Sequence, residues 1–319
     1  METQSYAQIR EKFINEILDF FPSQDLIALN DIRQALEHLV DSAGPQALAT
    51  LGRQLEADHG WGYYPGHLLA RQIHDLITAR FLKEGSTVSG AEHLEKIKNM
   101  PAVLLANHLS YADANVIEFM LRRTGDGLLA DRLTVIAGPK VFTSRQRRFS
   151  SLCFGTIKVP QSAEVSSEEA VMNQREVALA ARRSIEAARR RLEAGDVLLL
   201  FGEGTRSRTG GMQPMLAGVA RYIEVPEVWV LPVGLTGSEV LYPVGDNKVN
   251  PACIRMYVGR PMPAGALMAR SGGDRRIMMD VIGLAIAGLL PETYRGVYGK
   301  EDDFPEAKVV LRDLMENNI

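Results

Sequence analysis

From residue 102 onward the chain alternates short apolar runs with longer stretches of helical periodicity. The runs at 102–106 (AVLLA), 133–137, 156–159, 197–201 (VLLLF), 228–235 and 254–258 have the length of buried strands. Helical stretches lie at 113–123 and at about 167–194. A sequence built this way closes a sheet whose strands run mostly parallel, because the intervening helices carry the chain back across its faces. The expected class is therefore α/β, with a mostly parallel central sheet flanked by helices. Gly138-Pro139 and Gly210-Gly211 mark loops between elements.

The first 85 residues read differently. Ile9, Phe13, Ile17 and Phe20 recur at helical spacing, and Pro22 stops that helix. Leu26, Leu29, Ile32, Leu36 and Leu39 repeat the pattern until Ala43-Gly44-Pro45 breaks it. A third helix runs to about residue 57, and a fourth, at 67–83, carries Leu69, Ile73, Leu76 and Ile77 on one face. The aromatic segment 59–66 between them reads as a turn-rich link, and no convincing strand precedes residue 85. The expected organisation is an N-terminal helical domain over 1–85 followed by an α/β domain over 86–319.

The balance of residues bounds the function. A formal net charge of −3 gives no basic field for nucleic acid, and 46% hydrophobic with 24% charged residues is the make-up of a globular chain with a sizeable core. Two cysteines, Cys153 and Cys253, make no disulfide framework and fit a reducing cytoplasm. The opening residues METQSYAQIREKF carry charge where a signal peptide needs an apolar core. The longest apolar window, 281–290, is too short to cross a bilayer, so any meeting with lipid is expected to be peripheral, at the inner face of the membrane.

Polar chemistry gathers just after two of the apolar runs. The first run ends in Asn107-His108-Leu109-Ser110-Tyr111-Ala112-Asp113. His108 is the one side chain there that changes charge near neutral pH, and Asp113, at the start of the next helix, can turn back to hold the imidazole. The plain alternative is a loop histidine followed by a helix cap. The second run ends in Phe201-Gly202-Glu203-Gly204-Thr205-Arg206-Ser207-Arg208. Here the glycines let a ligand approach the backbone, Arg206 offers a bidentate fork, and Thr205 and Ser207 add hydroxyls, a set suited to phosphate. A helix expected at about 214–223 would add its N-terminus. Glu203 is expected to pin the loop by pairing with an arginine.

Together these stretches resemble the glycerophospholipid acyltransferase family. Its Asn-His-x4-Asp motif stands at Asn107, His108 and Asp113, and its Phe-Pro-Glu-Gly-Thr-Arg-Ser motif at 201–207, with Gly202 in place of proline. Its apolar strand around a proline matches Val230-Leu231-Pro232-Val233-Gly234-Leu235. A helical domain ahead of the catalytic one is also the layout of the soluble plastid-type glycerol-phosphate acyltransferases. The resemblance implies an O-acyltransferase of phospholipid biosynthesis. Such an enzyme moves a fatty acyl group from acyl-CoA or acyl carrier protein to a hydroxyl of glycerol 3-phosphate or 1-acyl-glycerol 3-phosphate. It implies His108 as general base, Asp113 as its orienter, and Asn107, Glu203, Gly204, Thr205, Arg206 and Ser207 at the substrate, with no metal or redox cofactor. The sequence departs from the family at its second motif, where Gln161 stands in the place of an acceptor-holding arginine; Lys140 or Lys158 can supply the cation.

Other readings are an acyltransferase for a non-phosphate acceptor, a thioester hydrolase with water at His108, and a non-catalytic lipid- or carrier-binding protein. In the long helix, Val171, Ala178, Ile185 and Leu192 are expected to form one buried stripe. Its arginines, among them Arg175, Arg182 and Arg189, read as a solvated face or as a dock for an acidic carrier protein or anionic headgroups. His67 and His74 lack the further ligands a metal site needs. Cys153 reads as an ordinary half-buried thiol.

Overall fold

A computed structural model of the chain describes residues 5–20, 26–56, 60–125, 127–160, 174–243, 249–300 and 302–316. Nine strands among them form one sheet: β1 (Gly62–Tyr64), β2 (Thr87–Ser89), β3 (Ala102–Ala106), β4 (Leu133–Ala137), β5 (Gly155–Lys158), β6 (Val197–Phe201), β7 (Trp229–Thr236), β8 (Arg255–Val258) and β9 (Met262–Pro263). The order is β1-β5-β4-β6-β3-β7-β8-β2, with β9 also paired to β7. β3 runs parallel to β6 and β7, β4 parallel to β5 and β6, and β2 parallel to β8. β1, β8 and β9 bring the antiparallel pairings, with β5 and β7. The sheet is thus mixed, with the parallel set at its centre.

The central strands are apolar on both faces because both faces are covered. Val103 and Leu105 of β3 point into one core, shared with Leu198, Leu200 and Val230. Two helices cover that side, α6 (Gln174–Glu193) and α7 (Arg275–Leu289). Ala102, Leu104 and Ala106 alternate to the other core, against Val116, Ile117 and Met120 of α4 (Asp113–Arg123). Pro232 sits inside β7 without breaking it. Its outer side falls between the β9 partner of Val230 and the β8 partner of Val233, so no ladder bond is lost.

Ahead of the sheet come α1 (Tyr6–Phe20), α2 (Leu26–Glu56) and α3 (Leu68–Phe81). The expected break at residues 43–45 is a kink inside α2, where Gly44 turns to φ 80 and ψ 171. Phe13, Ile17, Leu36, Leu51, Leu69 and Ile73 make the core of this layer, and Phe149 and Leu152 join it from α5 (Arg145–Ser151) and its end.

Three expectations need correction. Strands precede and follow residue 85 that the sequence did not announce: β1, β2 and β9 hold two or three residues each, too few to display a period. β1 was expected to be part of a link, yet it pairs antiparallel with β5 as a sheet edge. The buried stripe of α6 is Ala180, Ser184, Ala187, Ala188 and Leu192 rather than the heptad of larger residues. Small side chains let this helix lie close to the sheet. Ala178 is exposed, Ile185 is only half-buried, and Val171 lies outside the described residues. The segment expected as a helix at 214–223 is a short 3₁₀ stretch, Ala217–Tyr222, without the aligned N–H groups of a long helix.

Candidate active site

β3 and β6 are neighbours in register, with Ala106 opposite Phe201, so the polar segments that follow them leave the sheet side by side. Asn107 is buried and spans to β7: its Nδ2 donates to the Leu235 carbonyl at 3.0 Å, and its Oδ1 accepts from the Leu235 N–H at 2.7 Å. The main chain of His108 is held from the other side. Its N–H donates to Glu203 Oε1 at 2.8 Å, and its carbonyl accepts from the Ser207 N–H at 2.7 Å.

The imidazole of His108 stacks on the Phe201 ring, with centroids 4.2 Å apart, and its Nδ1 lies 2.8 Å from Asp113 Oδ2. Asp113 is fully buried. The same Oδ2 accepts from the N–H groups of Leu109 (2.7 Å) and Ser110 (2.9 Å), and Oδ1 accepts from Ser238 Oγ at 2.6 Å. Every other neighbour of the carboxylate is a donor, so the His108 nitrogen facing it carries a proton. That leaves the lone pair on Nε2, which has no partner among the described residues. The result is an imidazole aimed by a carboxylate.

Glu203 does not pair with an arginine as expected. Its two oxygens take the backbone N–H groups of His108 (2.8 Å) and Gln213 (2.7 Å), tying the two loops together. Burial pushes its carboxyl up to about 7, against the two backbone donors that favour the charged form. Gly204 adopts φ +69, and a Cβ there would lie 2.4 Å from Leu216 Cδ1. At Gly202, where the resembled family has proline, a Cβ would lie 2.3 Å from Met215 Sδ, so a core methionine fills that space.

A cavity of about 540 Å³ opens at His108. Ile77, Phe81, Val116, Phe154, Ile185 and Val219 are among its apolar walls. Lys140, Arg147, Arg206, Arg208 and Arg221 also line it, and among the described residues no aspartate or glutamate does. Two of these cations meet at one ring: the Arg206 guanidinium carbon is 3.5 Å from the Tyr111 centroid and that of Arg147 is 4.9 Å from it.

The structure sorts the expected substrate residues. His108, Lys140, Gly204, Thr205 and Arg206 line the cavity. Asn107, Asp113, Glu203 and Ser207 do not; they build the loops beneath it, Ser207 Oγ donating to the Gly211 carbonyl at 2.7 Å. Lys158 is buried beside the rings of Trp61 and Phe142, off the cavity wall. Gln161 lies outside the described residues. Tyr111, Arg147 and Ser238 are the residues that sequence reasoning passed over. Tyr111 occupies a free position of the first motif, Arg147 stands in a basic run with no marker, and Ser238 is separated from Asp113 by 125 residues.

Residues 85–236 match the family model described as Acyltransferase. This segment resembles the acyltransferase family. The matched segment holds both motif loops, with His108 and Asp113, and the strand β7. Among solved structures, the 1-acyl-sn-glycerophosphate (LPA) acyltransferase PlsC of Thermotoga maritima is similar at 16% sequence identity and a TM-score of 0.47, over 88% of this chain and 96% of that one. No curated protein matches the chain in sequence.

Two other groups that invite a chemical role are occupied. His74 is buried, stacks on Phe149 and bonds Ser150 Oγ at 3.0 Å; burial lowers it to about 4, so it stays neutral. Burial raises the Cys153 thiol well above the usual thiol range. Among the described residues no three His, Cys, Asp or Glu side chains converge as metal ligands, and no helix is long and apolar enough to cross a membrane.

Proposed function

We propose that this acyltransferase moves a fatty acyl group from a thioester, acyl-CoA or acyl carrier protein, to a hydroxyl of glycerol 3-phosphate or 1-acyl-glycerol 3-phosphate. The observation that carries the reading is the placement of the His108–Asp113 pair at a cavity with apolar walls and five cations. A base suits the hydroxyl, the walls suit an acyl chain, and the cations suit a phosphate.

His108 Nε2 takes the proton of the acceptor hydroxyl as its oxygen bonds to the thioester carbonyl carbon. The tetrahedral intermediate collapses, the carbon–sulfur bond breaks, and the proton on Nε2 passes to the departing thiolate. Asp113 holds the tautomer and stabilises the imidazolium formed between these steps. The chemistry asks for no covalent acyl-enzyme, metal or redox cofactor. In this reading the helices over 1–85 form a layer ahead of the catalytic domain at 86–319, and the protein works in the cytoplasm, meeting lipid at the inner face of the membrane.

The test is thiol release from a long-chain acyl-CoA by the purified protein, with and without each acceptor. Release that depends on the phosphate acceptor and vanishes in His108→Ala is the expected result. Release indifferent to any alcohol would instead make the protein a thioesterase.

A further inference from the structure

Two guanidinium groups converge on one ring with, among the described residues, no carboxylate to balance them. Arg206 leaves the loop after β6, Arg147 belongs to α5, and both reach Tyr111 between His108 and Asp113. Among the described residues neither side chain pairs with an aspartate or glutamate, and both line the cavity that contains His108. Their separation cannot exceed the sum of their two distances to the ring. Like charges held this close in a partly buried wall repel each other. The ring face offsets part of that repulsion, and an anion bound between the two would offset the rest.

We propose that Arg147, Arg206 and Tyr111 form a two-arginine site for a phosphate monoester, and that Arg147 makes this enzyme select monoester acceptors over phosphodiesters. This rests on the acyltransferase reading above and narrows its acceptor. A terminal phosphate monoester carries close to two negative charges at neutral pH and three free oxygens, matching two guanidinium forks. A phosphodiester headgroup carries one charge and two free oxygens, and leaves one fork unmatched. Arg147 supplies the second planar cation that the sequence lacks at Gln161, and it comes from an element outside the two recognised loops. Tyr111 is the platform that sets the planes of both guanidiniums, which an ammonium in place of Arg147 would not reproduce.

The experiment has two arms. In the first, acceptor-dependent thiol release from palmitoyl-CoA is measured with glycerol 3-phosphate, lysophosphatidate and lysophosphatidylglycerol, for the native enzyme, Arg147→Ala and Arg147→Lys. The native enzyme is expected to prefer both monoesters. Arg147→Ala is expected to raise KM for them by about tenfold or more, with kcat within about threefold and little change for the diester. Arg147→Lys should recover only part of the loss. Equal use of monoester and diester by the native enzyme, or an unchanged monoester KM in Arg147→Ala, overturns the proposal. In the second arm, inorganic phosphate is titrated calorimetrically into the native protein and the same variants. Binding weakened about tenfold by Arg147→Ala supports the site; no binding, or binding indifferent to residue 147, refutes it. This arm separates the two readings, because a protein without acyl transfer would still report on its anion site.

Discussion

Ser238 Oγ donates to Asp113 Oδ1 at 2.6 Å, and both side chains are fully buried. The serine opens the turn after β7, beyond Gly237, whose φ of +89 brings it close to the Cys253 carbonyl. It fixes the oxygen of Asp113 that His108 does not use. A hydrogen bond to a charged group contributes on the order of 1.5–3 kcal/mol. Ser238→Ala is therefore expected to lower kcat by about tenfold or more, with KM for both substrates unchanged. Steady-state kinetics decide the point: a full kcat with only a lower melting temperature would reduce the serine to packing.

Asp113→Asn should cost far more. The amide keeps one acceptor but brings two N–H donors into a pocket already filled by the N–H groups of Leu109 and Ser110 and by Ser238. The amide oxygen then keeps the N–H donors of Leu109, Ser110 and His108, the NH2 turns to Ser238, whose hydroxyl can accept, and the negative charge that stabilises a His108 imidazolium is lost. A loss of about a thousandfold or more in kcat is expected, with the fold retained by circular dichroism. A loss below tenfold would remove Asp113 from the role of orienter.

Glu203 gives the fold a pH dependence of unusual sign. A glutamate titrates near 4.5 when unfolded, and burial moves this one to about 7. The folded state binds the proton more tightly, so the stability contributed by the proton is present below about 4.5 and is lost as pH rises through about 7. Glu118, pushed by burial to about 7 as well, adds to the same trend. Denaturant unfolding at pH 5 and pH 8 should show lower stability at the higher pH, and the difference should shrink in Glu203→Gln. An equal difference in that variant would assign the whole effect elsewhere.

The missing proline of the second loop has a packing explanation that can be tested by a double variant. Gly202→Ala places a methyl against Met215 Sδ and Met279 Cε, at 2.3 and 3.3 Å before any relaxation. Overpacking of this kind costs about 1–3 kcal/mol. Combined with Met215→Ala, it should destabilise by less than the sum of the two single changes. Strict additivity in urea melts would show that Met215 does not close the space at Gly202.

The strands that matter for the site were legible because they are long apolar runs buried on both faces, as in Ala102–Ala106 and Val197–Phe201. The same holds for His108 and Asp113, which lie five residues apart on one short loop. What stayed hidden depends on distance along the chain or on size. Ser238 meets Asp113 only because β7 lies beside β3, a fact of strand order that no local pattern carries. Arg147 reaches Tyr111 from a seven-residue helix, and nothing in its neighbours separates it from Arg145 or Arg148. The stripe of α6 was misread because periodicity weights large residues, whereas this helix packs through alanines and a serine. Glu203 was given an arginine because charge invites charge, yet two backbone N–H groups satisfied it.

The ties beneath the cavity also set a clock. The N–H groups of His108, Leu109, Ser110, Ser207 and Gln213 all end on side chains or carbonyls of the two loops, and Asn107 locks the first loop to the middle of the sheet. Loops ordinarily open on their own, trading amide hydrogens for deuterium long before the core does. These amides have no independent route to solvent, because releasing four of them uncovers a buried carboxylate and releasing that of Ser207 strips the His108 carbonyl of its partner. Their exchange should proceed at the rate of the central strands, so that the reacting loop keeps its shape for as long as the protein remains folded.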